Sequence, residues 1–195
     1  MKYYFRASII PLLYVFFQSS ISIAIYNIGF KPLGLALLVF NILLFIFTIS
    51  VFSFKNGESA YKILLLNDAE RRIIVETGKD RPINYTEEYS PKKGVILGLI
   101  PLVPLFVFLL VHAIILISGG DYIGLGAVAV FFYKNPYAFF EYLGYGITAK
   151  NCFLTLLSIP VIFIPIYVSY NFGARSARLA QERIEEDRKA LHGEK

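Results

Sequence analysis

Four long apolar runs separated by polar stretches organise this chain. They extend from Ala7 to Phe30, Pro32 to Phe54, Gly94 to Ser118, and Cys152 to about Phe172. Within them the apolar residues are nearly continuous and show neither helical nor strand periodicity, the pattern of segments surrounded by lipid. A helix rises ~1.5 Å per residue and needs ~20 residues to cross ~30 Å of hydrocarbon, a length that all four runs exceed. The predicted fold is all-α: a polytopic membrane protein with four transmembrane helices. Residues 1–54 hold helices 1 and 2, residues 94–119 helix 3, and residues 152–173 helix 4.

The first run follows MKYYFR and has the position of a secretory signal. It is longer than the 7–15 apolar residues typical of a signal core, carries Phe16 and Phe17, and lacks a small-x-small exit. A retained helix is expected.

Composition agrees with the pattern. Of the 195 residues, 56% are hydrophobic, against about 45–50% in a typical soluble domain, and mean hydropathy is +0.60. The single cysteine, Cys152, excludes an internal disulfide, and the two histidines, His112 and His192, leave no Cys/His cluster for a metal. No cofactor is expected.

The net charge of +5 is arranged by topology. With a cytoplasmic N-terminus, sixteen Lys and Arg fall inside: Lys2 and Arg6, eight in residues 55–93, and six after residue 173. Three fall outside: Lys31, Lys134 and Lys150. This positive-inside bias places both termini in the cytoplasm and accounts for the charge without nucleic acid; the plasma membrane is the expected host.

Residues 120–151 fit no fifth span. The apolar run Ile123–Tyr133 is too short, and extending it would bury Lys134, Asn135, Pro136 and Glu141 in lipid. Eight of the fifteen residues from Phe131 to Tyr145 are aromatic, which suits an interfacial or re-entrant segment at the outer face. Asn135-Pro136 reads as the cap and first position of a short surface helix.

Polar residues inside the spans are the candidate functional groups. Gln18 lies roughly 17 Å into the first span and Asn41 roughly 14 Å into the second from the opposite side. Their amides are expected to face each other near the midplane, with Ser19 and Ser22 nearby. Such contacts serve as interhelical glue worth ~0.6–2 kcal/mol, or less often line a solute path. His112, about 27 Å along the third span, is expected at the wet outer interface, within reach of Asp121 or Glu141, where a histidine can titrate.

Pro101 and Pro104 in the third span, and Pro160 and Pro165 in the fourth, are expected to kink their helices. Gly94 and Gly98 have the GxxxG spacing that lets another helix approach closely.

The polar stretch 55–93 holds eight bases and seven acids, too balanced for a polybasic lipid anchor. Asn56-Gly57 reads as the end of the second span. After it SAYKILLL (59–66) reads as a short helix, and Asn67 and Glu70 form a capping pair for a second one ending near Thr77-Gly78, with a hairpin over 67–86 the alternative. No phosphate-binding loop or nucleophile motif is present, so catalysis is not expected. Glu87 and Glu88, with Asp68, Arg71, Arg72 and Arg81, are candidate docking residues for a partner. The tail 174–195 is helix-favouring, with Arg178–Glu182 at i,i+4 and a thin apolar stripe of Ala177, Ile184 and Leu191. The function expected is that of a membrane accessory or scaffolding subunit docking through loop and tail. A small transporter or channel subunit using helices 3 and 4 is the alternative. The expected partners are membrane lipid and another membrane or cytoplasmic protein, or a second copy.

Overall fold

The computed structural model describes residues 2–27, 31–119, 124–142, 144, 146–148 and 150–192. Among them the fold is all-helical, with no strand. The α-helices are α1 (Lys2–Tyr26), α2 (Lys31–Thr77), α3 (Pro91–Leu99), α4 (Val103–Ile117), α5 (Gly124–Phe132), α6 (Lys134–Tyr142) and α7 (Ser158–His192). Short 3-10 segments, Ile100–Leu102 and Asn151–Leu157, precede α4 and α7. Four helical stretches are long and apolar enough to cross a membrane: Arg6–Ile25, Lys31–Thr77, Pro91–Ile117 and Asn151–Leu191.

Along α2 as far as Ala60 the buried positions are Gly34, Leu38, Asn41, Phe45, Ile49, Ser53, Gly57 and Ala60, one every three or four residues. The outward face between them carries Phe40, Leu43 and Phe47, all exposed. Both faces are apolar, so the helical period is absent from the sequence although it is present in the packing. The core draws on every long helix, through Val15, Phe45, Leu102, Leu105, Ile166 and Tyr170.

The helix α2 does not end at Asn56-Gly57. It continues unbroken to Thr77, and Gly78 closes it with φ +67°. A glycine inside a helix costs about 1 kcal/mol relative to alanine; here it permits backbone contact. A Cβ on Gly57 would lie 1.9 Å from the Tyr170 carbonyl oxygen, and one on Gly173 would lie 2.0 Å from that of Phe54. Phe45 lies by Ile162, Phe54 by Phe172 and Tyr61 by Arg178, so α2 and α7 run parallel, with backbones touching at a crossing that only glycine allows. Gly94 and Gly98 seat α3 antiparallel on α7, against Tyr170 and Phe163.

Asn67, expected as a helix cap, is a buried mid-helix residue of α2. Residues 78–90 form a loop that returns along α2, and Tyr89 N–H donates to the Ala60 carbonyl at 3.0 Å. The N-terminal turns of α1 lie at this same loop end, where Tyr3 meets the Lys93 ammonium.

The helices α5 and α6 form a hairpin that enters from the far end. Gly126 sits against His112 and Cys152 near that end. At the tip, the Tyr133 hydroxyl donates to the Pro101 carbonyl at 2.6 Å, and Lys134 N–H to Ser19 Oγ at 3.2 Å. The chain then returns, since Cys152 again lies beside Gly126. The surface helix expected from Asn135-Pro136 is instead α6, which begins at Lys134 and buries Ala138 completely.

Candidate functional site

Three polar groupings occupy the bundle. The first joins α1 to α2 at mid-depth. Asn41 Nδ2 donates to Ser22 Oγ at 3.0 Å and to the Gln18 carbonyl at 3.4 Å, and all three residues are buried. The two side-chain amides, expected to face each other, are not hydrogen-bonded to each other. The Gln18 side chain lines a small cavity of about 10 Å³ with Ser19, Tyr133 and Ser158. Neither its amide nor the Ser158 hydroxyl finds a hydrogen-bond partner among the described residues. Ser19 Oγ donates to the Phe132 carbonyl at 2.6 Å and accepts from Lys134 N–H, fixing the hairpin tip to α1.

The second grouping is the ion pair Lys134 Nζ–Glu141 Oε2 at 2.5 Å, both side chains less than a tenth exposed. The sequence marks both residues as costly to bury. The hairpin buries them together in protein rather than in lipid, at a seven-residue spacing that puts them two turns apart on one face of α6. That spacing was the available signal. Glu141 is thus engaged by Lys134.

The third surrounds His112, which is fully buried rather than at a wet interface. Its ring packs on Phe153 at 5.7 Å between centroids and lies with Cys152 Sγ around Gly126, where no Cβ fits. Asp121, the other expected partner, lies outside the described residues. Among the described residues no group of three or more His, Cys, Asp or Glu could hold a metal.

The prolines act unequally. Pro101 lies in the 3-10 segment that interrupts the third span, and its carbonyl is taken by Tyr133. Pro104 stands in the first turn of α4, where its missing N–H costs nothing. Pro160 holds the equivalent place in the first turn of α7, while Pro165, like Pro11 in α1, lies within a continuous helix.

The loop-end candidates are largely engaged with one another. Arg71 donates to Asp68 at 2.5 Å and to Glu88 at 2.6 Å, and its guanidinium covers the Tyr85 ring. Asn67 donates to Glu88 at 2.9 Å and to the Asn84 carbonyl at 3.1 Å, and accepts from Asn84 N–H at 3.1 Å. Arg81 pairs with Glu70 at 3.2 Å, and Glu87 accepts from the Asn84 side chain at 3.0 Å. Lys93 Nζ donates to the carbonyls of Tyr85, Thr86 and Glu88. The Tyr89 hydroxyl donates to Asn171 Oδ1 at 2.9 Å; burial, and secondarily Tyr167, raises it above its ordinary value and keeps it a donor. Of the candidate docking residues, Arg72 is exposed. The network clamps residues 78–90 to α2.

No protein-family model, curated protein or solved structure matches this chain.

Proposed function

We propose that this protein is a non-enzymatic accessory or scaffolding subunit of the plasma membrane, with both termini cytoplasmic, that docks a partner protein through an arm at its loop end. The observation that carries this reading is the arm itself. The parallel helices α2 and α7 continue past the spans to Thr77 and His192. Leu179, Ile184 and Leu191 on α7 are 47%, 60% and 85% exposed, and Leu66 and Val75 on α2 are 66% and 85% exposed. A helix exposed on all sides has only side-chain pairs such as Arg178–Glu182 at 2.7 Å to support it, each worth a few tenths of a kcal/mol. A partner helix seated on the leucine and isoleucine side chains would supply the missing packing. The orientation rests on the sixteen-to-three distribution of bases.

The test is native mass spectrometry of the protein taken from its own membrane, as the full chain and with residues 179–195 deleted. A different protein that accompanies the full chain and is lost on truncation supports the reading. A lone chain or a homo-oligomer unaffected by truncation counts against it.

A second reading, a small transporter or channel subunit, is favoured by one observation: the hairpin buries the Lys134–Glu141 pair on α6 against α1 and α2, while the neighbouring Tyr133 reaches the Pro101 carbonyl of the broken third span. Discontinuous helices and buried charges mark solute paths in membranes. Flux in proteoliposomes that Glu141→Gln abolishes, with the fold intact, would favour it over docking.

A further inference from the structure

A groove of about 390 Å³ opens at the loop end between the first turns of α1 and the middle of α2. Its walls change character with depth. The two helices are antiparallel neighbours, so Ile10 on α1 and Phe52 on α2 form the inner, apolar part. About one turn outward, ~6 Å along each axis, stand Arg6 on α1 and Asn56 on α2, followed by Ser59. Glu87, from the 78–90 loop, closes the outer mouth.

The two charges are separate. Among the described residues no carboxylate comes within ion-pair distance of the Arg6 guanidinium. One oxygen of Glu87 accepts from Asn84 at 3.0 Å, which leaves the second for another donor. From Ile10 and Phe52 outward the groove thus presents hydrocarbon, then a cation with amide and hydroxyl groups, then an anion beside Tyr3 and Ile63. It lies where the apolar run of the first span begins, the level of a lipid headgroup.

We propose that this groove binds one phospholipid whose headgroup carries a primary ammonium. The acyl chains lie against Ile10 and Phe52, the phosphate meets Arg6 with Asn56 and Ser59 as donors, and the ammonium donates to Glu87. Arginine suits the middle position because its planar fork matches phosphate oxygens. Glu87 supplies the selectivity. A choline headgroup has no N–H to give the carboxylate, and a glycerol headgroup brings no positive charge to it. The volume falls within the ~300–1,000 Å³ of small-molecule sites, room for a headgroup and the first part of its chains.

The experiment titrates the delipidated full chain with phosphatidylethanolamine, phosphatidylcholine and phosphatidylglycerol of identical acyl chains and reads bound lipid by native mass spectrometry. Phosphatidylethanolamine is expected to be retained about fivefold over phosphatidylcholine, a difference of ~1 kcal/mol. Glu87→Gln should bring the two to parity without lowering phosphatidylglycerol, and Arg6→Gln should lower all three. Equal retention of the three lipids overturns the proposal, as does an ethanolamine-to-choline ratio that Glu87→Gln leaves unchanged. A thermal upshift with inorganic phosphate equal to that with phosphatidylethanolamine would make the groove a free-anion site and also overturn it. If Arg6→Gln fails to insert, Glu87→Gln still decides, since that side chain lies on the loop outside the spans.

Discussion

Lys134 and Glu141 form an ion pair at 2.5 Å inside the α5–α6 hairpin, where neither side chain is even a tenth exposed. Removing one partner strands a charge in the interior, at a cost of about 3–5 kcal/mol, whereas replacing both with apolar residues of similar size is far milder. Glu141→Gln and Lys134→Met should each lower the melting temperature in detergent by several degrees or abolish folded yield. The double variant Lys134→Met/Glu141→Leu should recover most of the loss. A double variant as damaged as the sum of the singles would show that the two side chains act separately.

Gly57 and Gly173 set the distance between the two longest helices. An alanine methyl at Gly57 would lie 1.9 Å from a backbone oxygen that cannot rotate aside, so α2 and α7 must part and unpack the core beside Tyr170. The expected cost is at least the 1–3 kcal/mol typical of an overpacked core. Gly146 has nothing within 4 Å of where a Cβ would stand, so Gly146→Ala should stay within about ±0.5 kcal/mol. Thermal unfolding of both variants in one detergent checks the contrast, and equal melting temperatures would refute the close crossing.

These glycines also mark where sequence reading stops. The four spans are legible because crossing hydrocarbon demands long apolar runs, a constraint local to each segment. The crossing of α2 and α7 is not local: Gly57 and Gly173 are far apart in the chain, and Asn56-Gly57 taken alone looks like a helix end. The same ambiguity misplaces Asn67. Asn-x-x-Glu reads as a cap when its context is unknown, yet here the asparagine spends its amide on a loop that folds back from residues 84–88. Gln18 and Asn41 are legible as polar residues in apolar runs. Which way each side chain turns depended on Tyr133 and Ser158, which arrive from other elements. The hairpin was hidden for a related reason: a charge is costly in lipid, but the sequence does not state whether lipid or a countercharge surrounds it.

The two amides should respond oppositely to the same substitution. Asn41 donates to Ser22 and to the Gln18 carbonyl, so Asn41→Leu breaks two buried hydrogen bonds and should cost about 1–3 kcal/mol. The Gln18 side chain has no hydrogen-bond partner among the described residues, so Gln18→Leu removes a buried amide without breaking a bond. It should be neutral or stabilising by up to about 1 kcal/mol. Melting temperatures of the two single variants, compared at one detergent concentration, test this. A destabilised Gln18→Leu would mean that the amide is held by a group bound in the Ser158 cavity.

Asn67 and Arg71 together govern the loop end. Asn67 brackets Asn84 with two hydrogen bonds and, with Arg71, holds the Glu88 carboxylate. Asn67→Ala therefore removes three bonds at once, one of them to a charged group, each bond worth roughly 0.5–3 kcal/mol. Arg71→Ala removes two bonds from a half-exposed guanidinium, where solvent already screens the pair, and should cost less. Hydrogen exchange at residues 80–90 reads the difference directly. It should speed up about tenfold or more in Asn67→Ala, corresponding to ~1.4 kcal/mol, and by a smaller factor in Arg71→Ala. The spans should keep their protection in both variants, because Asn67 and Arg71 stand on the part of α2 that extends beyond the bundle core. Unchanged loop exchange in Asn67→Ala would mean that Lys93 and Tyr89 hold residues 78–90 unaided.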